Sequence, residues 1–161
     1  MKLWRLAKSR YRHTSLEDEA KGAAKSGGRW NSKGVPVLYA SFHISTAAME
    51  VLVHIDWDLV PDLALVEIEV PDDISTEVVE RSLLPAGWGA HPYPSVLARI
   101  GDEWVKRGEF LMLDVPSAAS PYERNALINP AHPEAARCSM KVLGPYAFDG
   151  RLLSGDKDWD K

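Results

Sequence analysis

Apolar and polar positions alternate through Lys2-Leu3-Trp4-Arg5-Leu6-Ala7, which predicts a first strand with Leu3, Arg5 and Ala7 on one side and Trp4 and Leu6 on the other. Ser15 followed by Glu17, Asp18 and Glu19 predicts a capped helix from Ser15 to Lys25, because a helix N-terminus leaves N–H groups unpaired and favours negative charge. Gly27-Gly28 ends it. The apolar run from Val35 to Ala40 predicts a buried strand. Ser45 then stands where it can cap a helix through His54, with Ala48, Val51, Leu52 and Ile55 at core spacing. After Pro61, Leu63 to Val70 predicts a strand closed by Pro71-Asp72-Asp73. Ser75 to Ser82 carries a weak signal, and Pro85 to Pro94, with Trp88, reads as an irregular loop. Ser95 is the expected cap of a helix from Val96 to Arg107, with Val96, Leu97, Ile100 and Trp104 on its inner stripe and Gly108 as its stop. Further strands are expected from Phe110 to Val115 and from Cys138 to Val142. Tyr122 to Ile128 predicts a short element, and Phe148 to Leu152 a late turn or edge.

This order of elements predicts an α/β (α+β) fold, a bent, mainly antiparallel sheet flanked by helices. With 161 residues, 45% apolar and 26% charged, one domain covers the chain, with a core over about residues 3–152 and a charged tail over 154–161. A net charge of −4 argues against a protein that coats nucleic acid, although nine basic residues from Lys2 to Lys33 gather near the glycine-rich turn. Cys138 is the single cysteine, so no intrachain disulfide or thiolate metal cluster is expected. His13, His43, His54, His91 and His132 lack ligand spacing, and no metal site is expected. No signal-peptide core and no run of about 20 apolar residues is present, so a cytoplasmic protein without a membrane span is expected.

The candidate chemistry lies between Gly27 and Glu50. Gly27-Gly28-Arg29-Trp30-Asn31-Ser32-Lys33-Gly34 presents a guanidinium on a turn, the following strand carries Tyr39, and the next helix carries Glu50 among apolar neighbours. A cation, a ring and a carboxylate in one cleft suit a substrate with phosphates, a flat ring and a cleavable sugar bond. The glycines lack the lysine and hydroxyl of a P-loop, and no strand leads into a G-x-G-x-x-G turn. Ser117 has no nucleophile-elbow glycines around it. The plainer readings are core packing for Tyr39, a turn residue for Ser117, and loop-holding hydrogen bonds for Asn125 and Asn129.

Trp4-Arg5, Gly28-Arg29-Trp30-Asn31, Leu38-Tyr39-Ala40-Ser41, Ala47-Ala48-Met49-Glu50, Val115-Pro116-Ser117 and Asn125-Ala126-Leu127-Ile128-Asn129-Pro130-Ala131-His132-Pro133 together resemble the RES domain, in the expected order from about Leu3 to Leu152. The resemblance places the family's arginine, glutamate and serine at Arg29, Glu50 and Ser117. It implies an ADP-ribosyltransferase-like fold and a toxin of a bacterial toxin–antitoxin pair that consumes NAD+ as substrate rather than holding it as a cofactor. Inorganic phosphate is the implied co-substrate, giving nicotinamide and ADP-ribose phosphate; hydrolysis and ADP-ribose transfer to a protein are the alternatives. The implied partner is an Xre-like antitoxin that covers the active site, with a toxin homodimer inside a larger complex and no direct contact with nucleic acid.

On that reading Arg29 grips the pyrophosphate, because its planar fork of donors matches paired oxygens. Tyr39 stacks on nicotinamide. Glu50 accepts from a ribose hydroxyl and sets negative charge beside the developing sugar cation. Ser117 donates to a phosphate or to the nucleophile. Arg5 is a second cation, and Trp30, Asn31 and Asn129 join it in binding substrate. A binding module that keeps the fold without catalysis is the remaining rival.

Overall fold

The structure is a computed structural model that describes residues 1–8, 15–56 and 61–153. The expectations attached to Arg10, Arg12, His13 and the tail over 154–161 lie outside the described residues.

Within the described residues seven strands form one sheet: β1 (Lys2–Lys8), β2 (Leu38–Ser41), β3 (Leu63–Glu69), β4 (Thr76–Val78), β5 (Met112–Pro116), β6 (Arg124–Ile128) and β7 (Ser139–Tyr146). Their spatial order is β4-β5-β6-β2-β1-β3-β7. All neighbours are antiparallel except β4 and β5, which run parallel, so the sheet is mainly antiparallel as expected. Among the described residues four helices flank it: α1 (Leu16–Ser26), α2 (Ile44–Leu52), α3 (Val96–Arg107) and the short α4 (Gly150–Leu153).

The alternation in β1 sorts the core. Leu3 and Ala7 join Leu16 and Ala20 of α1, together with Leu38, Ala40, Val66, Ile68, Ala126 and Ile128. Leu6 points the other way, to Ala48 of α2 and Leu63. A separate cluster on that second side packs Leu97 and Trp104 of α3 against Leu113, Val115, Leu127, Val37 and Trp30. One face of the sheet therefore carries a core that spans it. The other carries two cores, one under α2 and one under α3.

The sheet is weakest at its middle. β1 and β3 share seven registered pairs and β2 and β6 share four, but β1 and β2 share a single pair, Trp4 with Ser41. Strands that diverge after one pair leave backbone groups without a ladder partner, and such groups need another donor or acceptor. Arg5 supplies one, donating from Nη1 to the Tyr39 carbonyl at 3.0 Å. The gap between the two halves, and between the α2 and α3 cores above it, is where a cleft opens.

Several boundaries move from expectation. Ser15 caps α1 as predicted, accepting from the Asp18 N–H. α2 instead starts at Ile44, one residue before Ser45, and His43 precedes it without a side-chain cap bond. Glu123 takes over there, with its carboxylate 2.7 Å from His43 Nδ1 and 3.4 Å from Thr46 Oγ1, where a helix N-terminus favours negative charge. Ser95 holds the position before α3 with no cap bond. The weak segment after Ser75 becomes β4 and a 3-10 turn over Arg81–Leu83, because β4 finds a partner in β5. β7 runs on to Tyr146 through pairing with β3, and the late turn or edge is the short helix α4. Among the described residues no helix is long and apolar enough to cross a membrane.

Candidate active site

A cleft of about 840 Å³ lies over the seam between β1 and β2, lined by Trp4, Arg5, Arg29, Trp30, Tyr39, Glu50, His91, Tyr93 and Asn125 among others. A volume of that order accommodates a cofactor-sized ligand.

The turn that carries Arg29 is built by close contacts. Gly28 N–H donates to the Asn31 carbonyl at 2.9 Å, and a Cβ at Gly28 would sit 2.7 Å from the Tyr39 hydroxyl oxygen, so only glycine lets the turn lie on that ring. Asn31, 1% exposed, donates to the carbonyls of Ala23, Ser32 and Val35 and accepts from the Tyr39 hydroxyl at 2.7 Å. The same hydroxyl accepts from the Trp30 N–H at 3.1 Å. Burial pushes the Tyr39 hydroxyl above its ordinary pKa, and it stays a neutral donor to Asn31. α3 fixes the turn from behind, where Asp102 accepts from the Ser32 N–H at 2.8 Å.

Arg29 projects into the cleft. Its Nη1 donates to the Trp88 carbonyl and, at 3.3 Å, to that of Ala90, and its guanidinium lies 4.9 Å from the centre of the Tyr93 ring. Burial lowers its pKa, opposed by Glu50, Tyr93 and Tyr39, and a guanidinium keeps its charge under such a shift. Only Nη1 is engaged among the described residues, which leaves a face of donors for a ligand.

Glu50 reaches the opposite side of the cleft from α2. Its Oε1 accepts from Ser117 Oγ at 2.7 Å and from Asn125 Nδ2 at 2.5 Å. Asn125 is itself oriented, since Ser41 Oγ donates to its Oδ1 at 2.6 Å, and Ser117 Oγ accepts from the Ser120 N–H at 2.9 Å. Oε1 is thus fixed by two donors, while no hydrogen bond from the described residues falls on Oε2. One oxygen anchors the carboxylate and the other is left for a ligand.

Arg5, Arg29, Trp30, Tyr39 and Glu50 line the cleft. Asn31 and Ser117, 1% and 3% exposed, stand behind its wall and act through Tyr39 and Glu50. Asn129 is not brought to the cleft. Its Oδ1 accepts from the Ala131 N–H and its backbone N–H donates to Leu111, which makes it the holder of a turn. Trp30 meets the cleft from within the α3 core. Asn125 and Tyr93 were not among the site residues expected from sequence. Asn125 stands two residues from Leu127 on one face of β6, a signal the strand period carried, whereas Tyr93 sits in an irregular loop without one.

A split antiparallel sheet with an arginine turn on one side of its seam and an anchored glutamate on the other defines a small α/β domain built around a ligand cleft. The model of the RES domain family matches residues 2–149, and the chain belongs to that family. It is 37% identical over 153 residues, 93% of this chain and 95% of the relative, to a protein of Sphingobium sp. (strain YBL2) named Prs ADP-ribosylating toxin. It is 39% identical over 161 residues, 98% of this chain and 100% of the relative, to the Toxin Res of Photorhabdus laumondii. Among solved structures, a chain of the M. tuberculosis MbcT-MbcA toxin-antitoxin complex shares the fold, with a TM-score of 0.68 and 14% identity over 94% of this chain and 86% of that one.

Proposed function

We propose that this chain is the toxin of a toxin–antitoxin pair and that it cleaves NAD+ at the bond between nicotinamide and ribose, with inorganic phosphate as the favoured nucleophile and water as the second. The observation that carries the reading is Glu50, held through Oε1 by Ser117 and Asn125 in a cleft shared with Arg5, Arg29 and Tyr39. The names of the Sphingobium and Photorhabdus relatives support a toxin, and the toxin-antitoxin complex with the same fold supports an antitoxin partner. An Xre-like antitoxin over the cleft, and a homodimer of this chain within the larger complex, complete the proposal; the cytoplasm is where its substrate is found.

NAD+ enters as a substrate. Arg29 and Arg5 hold the pyrophosphate, and the Tyr39 ring stacks on nicotinamide. The glycosidic C–N bond breaks with its electron pair moving to the pyridinium nitrogen, which becomes neutral, while positive charge spreads over the ribose C1 and ring oxygen. The free oxygen of Glu50 accepts from a ribose hydroxyl and stabilises that charge more in the transition state than in the ground state, which is what accelerates the step. A phosphate oxygen then bonds to C1, giving ADP-ribose phosphate. Ser117 holds Glu50 and makes no bond to the reacting atoms.

Transfer of ADP-ribose to a protein is the second reading, favoured by the name of the Sphingobium relative. Incubating the purified chain with NAD+, with and without phosphate and with a cell lysate, separates the two. Nicotinamide with ADP-ribose phosphate that forms only when phosphate is added supports phosphorolysis. Free ADP-ribose at the same rate in both buffers supports hydrolysis, and label on a lysate protein supports transfer. No loss of NAD+ under any of these conditions refutes the enzyme.

A further inference from the structure

Beside the cleft, four side chains form a surface that the proposed chemistry does not use. Arg81, on the 3-10 turn over Arg81–Leu83, stacks its guanidinium 5.5 Å from the Trp88 ring centre and 6.0 Å from that of Tyr122. Among the described residues no carboxylate or carbonyl accepts from its side chain. Glu123, which follows Tyr122 in the chain, is taken up by His43 and Thr46, and Glu80, which precedes Arg81, forms no ion pair with it among the described residues. Leu83, on the same turn, is 81% exposed, and Tyr122 is 96% exposed.

Tyr122 is also held against its own preference. It occupies the third position of a turn closed by the Glu123 N–H on the Ser120 carbonyl at 3.1 Å, with φ 74°, where glycine or asparagine is favoured. A tyrosine there gains nothing from burial and sits in a disfavoured conformation. The ring is available to something outside the chain. Two rings lie within cation–π distance of Arg81, and its planar fork of donors matches a planar carboxylate. An apolar side chain beside that carboxylate would cover Leu83 and Tyr122.

We propose that Arg81, Trp88, Tyr122 and Leu83 form the docking face for an acidic segment of the antitoxin, one that presents a carboxylate next to an apolar side chain. This rests on the toxin–antitoxin reading above. The face is joined to both sides of the cleft. The Trp88 carbonyl holds Arg29, and the Ser120 N–H holds Ser117, which holds Glu50. A segment seated on this face therefore bears on the two loops that position the cleft's cation and carboxylate.

The test measures the dissociation constant between the full chain and the antitoxin encoded beside it, for the wild type, Arg81→Glu, Tyr122→Gly and, as a control on β7 at the far edge of the sheet, Leu143→Ala. NAD+ consumption by each free variant is followed in parallel. Arg81→Glu is expected to weaken binding by about 30-fold or more and Tyr122→Gly by about tenfold, with Leu143→Ala unchanged. Tyr122→Gly is expected to leave the melting temperature equal or higher, since glycine relieves the positive φ, which separates docking from a structural role. All four chains binding alike overturns the docking face while leaving NAD+ cleavage standing. An antitoxin that fails to bind a wild-type chain that consumes NAD+ also overturns it, as does self-association of the chain that Arg81→Glu abolishes. Normal docking by a chain that never consumes NAD+ supports the face and removes the reaction.

Discussion

Glu50 shows how much of a site is decided by the partners of a single oxygen. Its sequence neighbours Met49, Val51 and Leu52 announced a carboxylate in need of a partner, and Ser117 and Asn125 provide it at 2.7 and 2.5 Å. Glu50→Gln keeps the shape but removes the negative charge that the proposed reaction sets beside the ribose. It is expected to lower kcat for NAD+ by about 100-fold or more with KM little changed, as for loss of a group that acts in the transition state; equal loss in KM alone would make Glu50 a binding residue. Tyr39 divides into two parts in the same way. Its ring lines the cleft, while its hydroxyl ties the Trp30 N–H and Asn31 Oδ1 together. Tyr39→Phe leaves both groups unpaired and is expected to cost about 1–3 kcal/mol of stability by chemical denaturation. Because the ring remains, substrate affinity in the fraction that folds should stay near the wild-type value. A collapse of affinity at unchanged stability would assign the hydroxyl to the substrate instead.

Among the elements, α3 demonstrates that a helix rule can reverse sign. Replacing glycine by alanine inside a helix ordinarily stabilises it by about 0.5–1 kcal/mol. At Gly101 a Cβ would lie 1.8 Å from the Trp30 carbonyl oxygen, which is backbone and cannot swing aside. Gly101→Ala is therefore expected to destabilise by about 3 kcal/mol or more and to push the Arg29 turn outward. Denaturant midpoints and NAD+ turnover read both effects, and an unchanged midpoint would show that α3 and the turn can separate. The periodicity of α3 was legible in Val96, Leu97, Ile100 and Trp104. That Gly101 lies on the buried side against a turn some seventy positions earlier was not, because a glycine carries no apolar signal to place it.

For the whole molecule, the seam between β1 and β2 organises everything else. Strong ladders on either side and one registered pair between them give two half-sheets with a gap, bridged by Arg5 from its place beside Glu19 of α1. Away from that gap, Glu134, on a 3-10 turn over Pro133–Arg137, ties that turn to the residues just before β4 and β5, accepting from both the Ser75 N–H and Oγ, while Ser75 Oγ accepts from the Leu111 N–H. The Ser75 bonds hold the Glu134 carboxyl below its ordinary value of 4.5. A group depressed in the folded state adds stability above its unfolded pKa and loses it as pH falls through the folded one. The melting temperature of the wild type should thus exceed that of Glu134→Gln at neutral pH, with the difference closing as pH drops below 4.5; a constant difference across that window would mean the charge is irrelevant to the clamp.

The sequence by itself determined the elements whose signals are local. The alternation of Leu3, Trp4 and Leu6, the Ser15 cap and the apolar stripe of α3 each follow from the period of the backbone, and together they defined the class of fold. The ordered motifs around Arg29, Tyr39 and Glu50 also identified the family. Tertiary structure decided which of the polar residues line the cleft. Arg5, Arg29 and Glu50 reach the cleft, whereas Asn31 and Ser117 support it from behind and Asn129 holds a distant turn. The physical reason is that the bonds that fix Glu50 come from Ser117 and Asn125, far from it in the chain, and no local period records such partners.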